Sequence, residues 1–201
     1  NSGVVGPGDV QWMTAGQGIV HEEMPEQKDG LMWGFQLWVN LPSGLKMTSP
    51  GYQDVLADDI PAVSTDSGAL VRIIAGDLGG IRSLDRKMAA HPLYLDVSLP
   101  AGAQFSHRVP RGHASVAYVF EGEAFFGGAN GAQHQLVKAS ALAMFSDGDA
   151  IHAVAGDGDA RFLLLAGRPF DEPIVRYGPF AMNTWEEIEQ AFSDYQSGSF
   201  A

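Results

Sequence analysis

The sequence predicts an all-β protein with one C-terminal helix. Glycine contributes 25 of the 201 residues, against about 14 for an average composition, and the glycines are scattered through the chain as turn residues are. Short runs that alternate apolar and polar residues recur between these turns, which is typical of strands. Only residues 183–195 show the 3.6-residue apolar spacing of an amphipathic helix.

Composition and charge exclude several classes of protein. The chain carries 12 Lys+Arg against 24 Asp+Glu and has a net charge of −12, whereas direct nucleic-acid binding uses clusters of basic side chains. It has no Cys, so metal ligands must be His or carboxylate. Its longest apolar run, residues 162–166, is too short to span a bilayer. We therefore expect a cytoplasmic globular protein without a membrane or direct nucleic-acid partner.

Strand patterns dominate the first part of the chain. Residues 10–13 and 19–23 each follow a glycine turn, and residues 31–41 alternate over a long run. Residues 49–56 instead predict one or two helical turns, because a serine N-cap precedes a proline there. A polar connector follows, and we place a domain boundary near residues 62–68.

Seven more strands are predicted after the connector. They lie at residues 69–75, 93–99, 115–121, 123–127, 141–145, 150–155 and 161–166. Short strands at this spacing, separated by glycine turns, indicate a sandwich or a barrel.

The last predicted element is the helix at residues 183–195. Thr184 and Glu187 form a capping box at its start, and Gly198 follows its end. An apolar stripe along one side predicts that this helix docks on a sheet.

The strongest candidate for chemistry is the pair His21 and Glu23. If residues 19–23 form a strand, these two side chains point to one face of it and Glu22 points to the other. An imidazole and a carboxylate placed in this way can bind a divalent metal such as Fe(II), Ni(II), Cu(II), Mn(II) or Zn(II). Two ligands are too few for a tight site, and a solvent-facing polar patch is the alternative interpretation.

The other histidines are weaker candidates. Three of them lie at turn–strand junctions of the second half and would bind a metal only if they converge at a barrel mouth: His107, His113 and His152. By default, we expect the side chain of each of these histidines to be hydrogen-bonded within the fold or exposed to solvent. His91 is predicted in a loop and His134 on the surface.

The residues from Pro7 to Pro25, which include His21 and Glu23, resemble the signature of the pirins, a family of the cupin superfamily. Three further blocks, residues 37–42, 93–96 and 177–184, also resemble this family. The resemblance covers nearly the whole chain. It implies two stacked cupin barrels, each a double-stranded β-helix, plus a C-terminal helix.

The resemblance also implies the domain organisation. Residues 1–62 would be the remainder of an incomplete N-terminal barrel and residues 63–67 a linker. Residues 68–180 would form the C-terminal barrel, and residues 181–201 the C-terminal helix and tail. The second barrel is expected to be structural, because Val109 stands where a second ligand would follow His107.

The family resemblance gives His21 and Glu23 a specific role. Pirins hold one metal, usually iron, through three His and one Glu, and these two residues match the third and fourth ligands. The first two ligands form an upstream His-x-His pair, and no His precedes His21 in this sequence. We therefore expect a chain that begins partway through its first barrel, with Fe(II), or another divalent metal, as cofactor of a site that is incomplete here.

The resemblance implies a metal-dependent dioxygenase of the quercetin 2,3-dioxygenase type, acting with O₂ on a small aromatic, flavonol-like substrate. Glu23 would then be a ligand and a candidate catalytic base. Met13 and Phe35 are predicted as cavity walls, and three tryptophans as core or cavity-wall residues: Trp12, Trp33 and Trp38. The alternative is a non-catalytic, redox-sensing regulator that acts through protein partners, and a metal-free cupin scaffold is a third hypothesis.

Overall fold

The structure is a computed structural model that describes residues 3–26, 28–83, 92–128 and 134–200. Its strands, in chain order, are β1 Val10–Thr14, β2 Gly51–Val55, β3 Ala62–Ser64, β4 Leu70–Ala75, β5 Asp77–Leu78, β6 Ile81–Arg82, β7 Leu93–Leu99, β8 Gln104–Arg108, β9 Ala114–Glu121, β10 Glu123–Gly127, β11 Gln135–Lys138, β12 Ala141–Met144, β13 Ala150–Ala155, β14 Ala160–Gly167, β15 Val175–Tyr177 and β16 Phe180–Met182. The helix α1 spans Trp185–Ser197, and 3₁₀ turns occupy Ser43–Leu45 and Ala57–Asp59. The predicted all-β class with a C-terminal helix is confirmed.

The chain divides into two compact units. The large unit comprises residues 1–10 and 55–169, and the small unit comprises residues 11–54 and 170–201. Each unit therefore draws on two separate stretches of the sequence. The domain boundaries expected from the family resemblance stay a prediction.

Two antiparallel sheets build the large unit. One has the strand order β12-β9-β14-β7-β4-β3, and the other has the order β11-β10-β13-β8. Burial alternates along the strands, as in β13, so each sheet turns one face to a shared apolar core. Phe162 lies at the centre of this core and makes edge-to-face contacts with Phe105 and Phe126. All seven strands predicted in this region are present within one residue at each end.

A buried ionic cluster lies across three neighbouring strands of the six-stranded sheet. Asp96 on β7 is buried, and its carboxylate accepts two hydrogen bonds from Arg161 on β14, at 2.9 and 2.6 Å. Arg72 on β4 approaches the same carboxylate at 3.6 Å. These bonds raise the pKa of Arg161, mainly through Asp96. The nearby Tyr94 hydroxyl has its pKa raised to about 12 by burial and by Asp96.

The helix α1 packs on the β15–β16 hairpin in the small unit. It begins as predicted: Glu187 N donates to Thr184 Oγ1, and the Glu187 carboxylate accepts from Thr184 N. Gly198 ends the helix with a φ of 75°, a left-handed conformation that favours glycine. The Phe180 and Phe192 rings meet edge to face at 4.9 Å and join the hairpin to the helix. In the described part of the chain, no helix is long and apolar enough to cross a membrane.

Three local predictions in the first part of the chain are wrong. Residues 19–23 and 31–41 are not strands, and residues 49–56 hold strand β2 instead of helical turns. A strand needs a partner for its backbone groups, and β2 has one in β1. Within the described ranges the other two runs are not paired. Trp33 and Trp38 are accordingly 55% and 58% exposed, not core residues or enclosed walls.

Candidate functional site

The predicted metal-binding pair comes together, although its segment is not a strand. His21 Nε2 lies 3.9 Å from Glu23 Oε1. The two carboxylate oxygens of Glu23 lie 3.3 and 3.5 Å from Gln36 Nε2, which donates to them, and Gln36 Oε1 accepts from Trp38 Nε1 at 3.2 Å. The side chains of His21 and Glu23 are 47% and 65% exposed. The pair is thus open to solvent, and hydrogen bonds from Gln36 position the Glu23 carboxylate but not the His21 ring.

The pair fits a metal in the chemistry of its donors but not in their number. Imidazole nitrogen and carboxylate oxygen are ligands that Fe(II) accepts. Among the described residues, however, no three His, Asp or Glu side chains gather in a group that could hold a metal ion. Gln36 does not supply the missing ligand, because its amide nitrogen faces Glu23 as a donor. The described residues alone therefore do not form a tight metal centre, and a complete one needs further ligands.

The segment that supplies Gln36 to this pair also carries exposed apolar side chains. Residues 31–39 are exposed throughout. Phe35 lies against Trp33 with ring centroids 6.0 Å apart, and the Arg176 guanidinium lies 5.2 Å from the Trp38 ring centroid. Single exposed apolar residues are ordinary, but a run of them beside a His–carboxylate pair offers a surface for a planar or apolar partner.

Two of the three second-half histidines line one cavity, and the third does not. His107 pairs with Ile151 across β8 and β13, whereas His152 pairs with Ser106. Cross-strand partners share a face of the sheet, so His107 lies on the buried face with Ile151 and His152 lies on the other face. His113 lines the same cavity as His107. The three histidines therefore do not converge on one site.

The environment of His107 differs from that of an exposed imidazole. Burial lowers its pKa, and the negative charge of Asp77 opposes this effect in part. Its ring lies parallel to that of Phe105, at 6.4 Å between centroids and 12° between planes. His134, which was predicted on the surface, is half-buried, and its Nε2 lies 3.1 Å from Gly128 O. His91 lies outside the described residues.

Sequence reasoning missed strand β8 and with it the cavity. Most side chains of β8 are polar, so a search for runs of apolar residues does not detect this strand. A period-two pattern is nevertheless present, because Phe105, His107 and Val109 alternate with exposed residues. That pattern could have placed His107 on the inner face.

The chain is similar along nearly all of its length to proteins of one family. Residues 94–201 match the family model described as the pirin C-terminal cupin domain, and residues 1–39 match the model described as pirin. A pirin-like protein of Caulobacter vibrioides is 45% identical over 206 residues, which are 98% of this chain and 70% of that protein.

Two further relatives are named for an enzyme. A Pseudomonas aeruginosa protein that bears the provisional name quercetin 2,3-dioxygenase is 43% identical over 209 residues, which cover 100% of this chain and 70% of that protein. The crystal structure of a quercetin 2,3-dioxygenase from Acinetobacter baumannii superimposes with a TM-score of 0.80 at 30% identity. That similarity covers 98% of this chain and 68% of the Acinetobacter chain.

Proposed function

Because this chain belongs to the pirin family of the cupin superfamily and has its all-β bicupin fold, we propose that it acts in a metal-dependent dioxygenase of the quercetin 2,3-dioxygenase type. His21 and Glu23 are two of its metal ligands, Fe(II) is its metal, and a flavonol-like aromatic is its substrate. The observation that carries the proposal is the approach of His21 Nε2 to Glu23 Oε1 at 3.9 Å. The likeness to the Acinetobacter baumannii enzyme supports the reaction type.

In this proposal Glu23 also accepts a proton from the substrate hydroxyl. Its carboxylate is open to solvent, so a substrate reaches it without rearrangement of the core. Gln36 holds the carboxylate through long hydrogen bonds of 3.3 and 3.5 Å, which restrict its rotation but leave lone pairs free. A positioned general base of this kind contributes roughly 10²–10⁴-fold to a rate.

The ligand role is tested by titration with Mn(II), which broadens the NMR signals of nuclei near its binding site. We expect the His21 ring protons and the Gln36 side-chain amide to broaden before the ring protons of His134. His21→Gln and Glu23→Gln should abolish this preference, whereas the neighbouring Glu22→Gln should retain it. Equal broadening of His21 and His134, or loss of the preference in Glu22→Gln, would contradict the assignment.

The reaction type is tested separately. Protein reloaded with Fe(II) and desalted is assayed for metal content and for quercetin-dependent O₂ uptake. We expect uptake to follow the metal content and to fall roughly 10²-fold or more in Glu23→Gln, with Glu22→Gln at the parent value. Metal-loaded protein that consumes no O₂ with quercetin would refute the dioxygenase proposal and leave the ligand assignment intact.

A non-catalytic regulator that acts through a protein partner is the second candidate. The exposed apolar residues 31–39 favour it, because they adjoin the His21–Glu23 pair and offer a surface that a partner protein can cover. The net charge of −12 favours a basic protein surface over nucleic acid as the partner. Metal-dependent binding to a protein without O₂ uptake would support this candidate over the enzyme.

A further inference from the structure

A short loop after β1, residues 15–18, leads into the segment that carries the His21–Glu23 pair. Gln17 N donates to Thr48 O at 2.9 Å. A Cβ on Gly16 would collide with the same carbonyl oxygen, and the φ of +53° at this residue also favours glycine. The backbone of Thr48 therefore fixes the first half of the loop.

The Phe200 ring lies against the end of this loop. Gly18 is buried, and a Cβ on it would lie 2.7, 2.8 and 3.0 Å from Phe200 Cζ, Cε1 and Cε2. The tip of the ring thus occupies the space that any side chain at residue 18 would need. Gly18 N also donates to Ala15 O at 2.9 Å, so the turn closes at the residue that the ring contacts.

The end of α1 brings Phe200 to this position. The left-handed Gly198 ends the helix and turns the chain back over its last turn. Phe200 then packs against two rings of the small unit, with centroid distances of 5.4 Å to Phe180 and 5.8 Å to Tyr195. These rings hold Phe200 in place while its tip faces Gly18.

We propose that Phe200 is a positioning residue for the His21–Glu23 pair, an inference that rests on the proposed function. Gly18 lies three residues before His21, and in the described structure no strand pairing supports the residues between them. Glycine has more backbone freedom than any other residue, so the packing of Phe200 on Gly18 selects the direction in which the segment leaves the loop. Gln36 holds the segment at Glu23. The pair therefore has two supports, and Phe200 provides the first.

The first test measures the mobility of the segment in metal-free protein, through the ¹H–¹⁵N NOE of residues 19–23. We expect the NOE to fall in Phe200→Ala and also in Phe200→Leu, a variant that keeps an apolar side chain but withdraws the ring tip from Gly18. Trp185→Ala is the control, because it removes a ring of the same helix that contacts Tyr177 instead, and it should keep the parent NOE. An unchanged NOE in either folded Phe200 variant, or an equal fall in Trp185→Ala, would overturn the proposal.

The second test asks whether this support reaches the metal-binding pair. In the Mn(II) titration, Phe200→Leu should need about two- to tenfold more metal than the parent to broaden the His21 ring protons, because mobile ligands lose more entropy on binding. Broadening of His134 should not change. A lower NOE with an unchanged Mn(II) requirement at His21 would overturn the positioning role. Absence of the His21 preference in the parent would instead refute the ligand assignment, and the NOE of the metal-free protein keeps the two failures apart.

A double-mutant cycle tests the contact itself. Gly18→Ala places a methyl group where the ring tip lies and displaces the ring, so it should raise the Mn(II) requirement at His21 when introduced alone. In the Phe200→Leu background it should add less than it does alone, because both changes act on one contact and the backbone strain at residue 18 cancels in the comparison. Gly16→Ala is the control: it clashes with Thr48 instead, so its effect should add to that of Phe200→Leu. Full additivity of Gly18→Ala and Phe200→Leu would also overturn the proposal.

Discussion

The His21–Glu23 pair and the His107–His113 cavity use the same imidazole chemistry in two different settings. His21 lies on a segment without strand pairing, and its ring approaches the Glu23 carboxylate at 3.9 Å on an exposed surface. His107 lies on β8, paired to β13, with Phe105 parallel to its ring. A paired strand fixes the direction of a side chain before any ligand arrives, whereas an exposed segment leaves that direction to neighbouring side chains.

This difference follows from where apolar surface is buried. In the large unit, both sheets contribute one face to a common core, and side chains such as Leu95 and Val119 are fully buried. Residues 31–39 carry comparable apolar side chains but leave them exposed. Hydrophobic stabilisation scales with the apolar area removed from water, so substitutions in the two regions should differ greatly in cost.

The largest loss of stability is expected for a substitution at Phe162, in the core of the large unit. Its side chain is fully buried among Phe105 and Phe126, and Phe162→Ala would leave a cavity that the rigid sheets cannot fill. We expect a loss of about 3–5 kcal/mol in the free energy of unfolding, measured by urea denaturation and by hydrogen exchange of β14 amides. A loss below about 1 kcal/mol would mean that the large unit is not built on this core.

The second contrast concerns the ionic cluster around Asp96. Asp96→Ala removes the buried carboxylate that both arginines contact. Arg161 then keeps its contact with the more exposed Glu121 at 3.6 Å, and Arg72 keeps its hydrogen bond to Gly8 O. We expect a loss of about 2–4 kcal/mol, somewhat below that of a fully buried pair because Arg161 is partly exposed. The control is Asp149→Ala, which breaks an exposed pair with Arg111 at 3.3 Å and should cost about 1 kcal/mol or less. Equal losses of stability in the two variants would contradict the view that burial makes the Asp96 cluster more important than an exposed ion pair.

The regions also differ in how well their sequences predict structure. Leu93–Leu99 and Ala150–Ala155 were predicted at their observed bounds, because alternation coincides there with pairing on both sides. Apolar and polar residues alternate just as clearly over residues 31–41, yet these residues form no strand in the described structure. Alternation is a local property of the sequence, whereas the backbone partner that a strand requires lies far along the chain.

The candidate sites show the same limit. His21 approaches Glu23, in agreement with their two-residue spacing, but the segment that carries them is not the expected strand. The cavity in the large unit was not predictable as a cavity, since Asp77, Leu93 and His113 come together through sheet topology. The capping box at Thr184 and Glu187 was predictable, because both partners lie within one helical turn.

A smaller effect is expected in the pH dependence of stability. Burial lowers the pKa of His107 in the folded state, so between that lower pKa and the ordinary value the unfolded chain binds more protons. Stability should therefore rise with pH through this window and fall as the pH drops below about 6.5. His107→Gln should flatten the dependence by at most about 1.4 kcal/mol per pH unit, seen as a smaller change in Tm between pH 7.5 and 5.5. Ser106→Ala is the control and should keep the parent slope; a parent-like slope in His107→Gln would contradict the assignment.

The smallest effect on stability is expected for a substitution at Met32. Its side chain is 66% exposed on the apolar segment beside the His21–Glu23 pair, so replacing it by serine removes little buried area. Met32→Ser should change the free energy of unfolding by less than about 0.5 kcal/mol, against a several-fold larger loss for Phe162→Ala measured in the same way. A loss above about 1 kcal/mol would show that residues 31–39 are covered in solution by a second copy or by another protein. Sedimentation velocity at two concentrations separates these outcomes, because only self-association increases with the concentration of the chain.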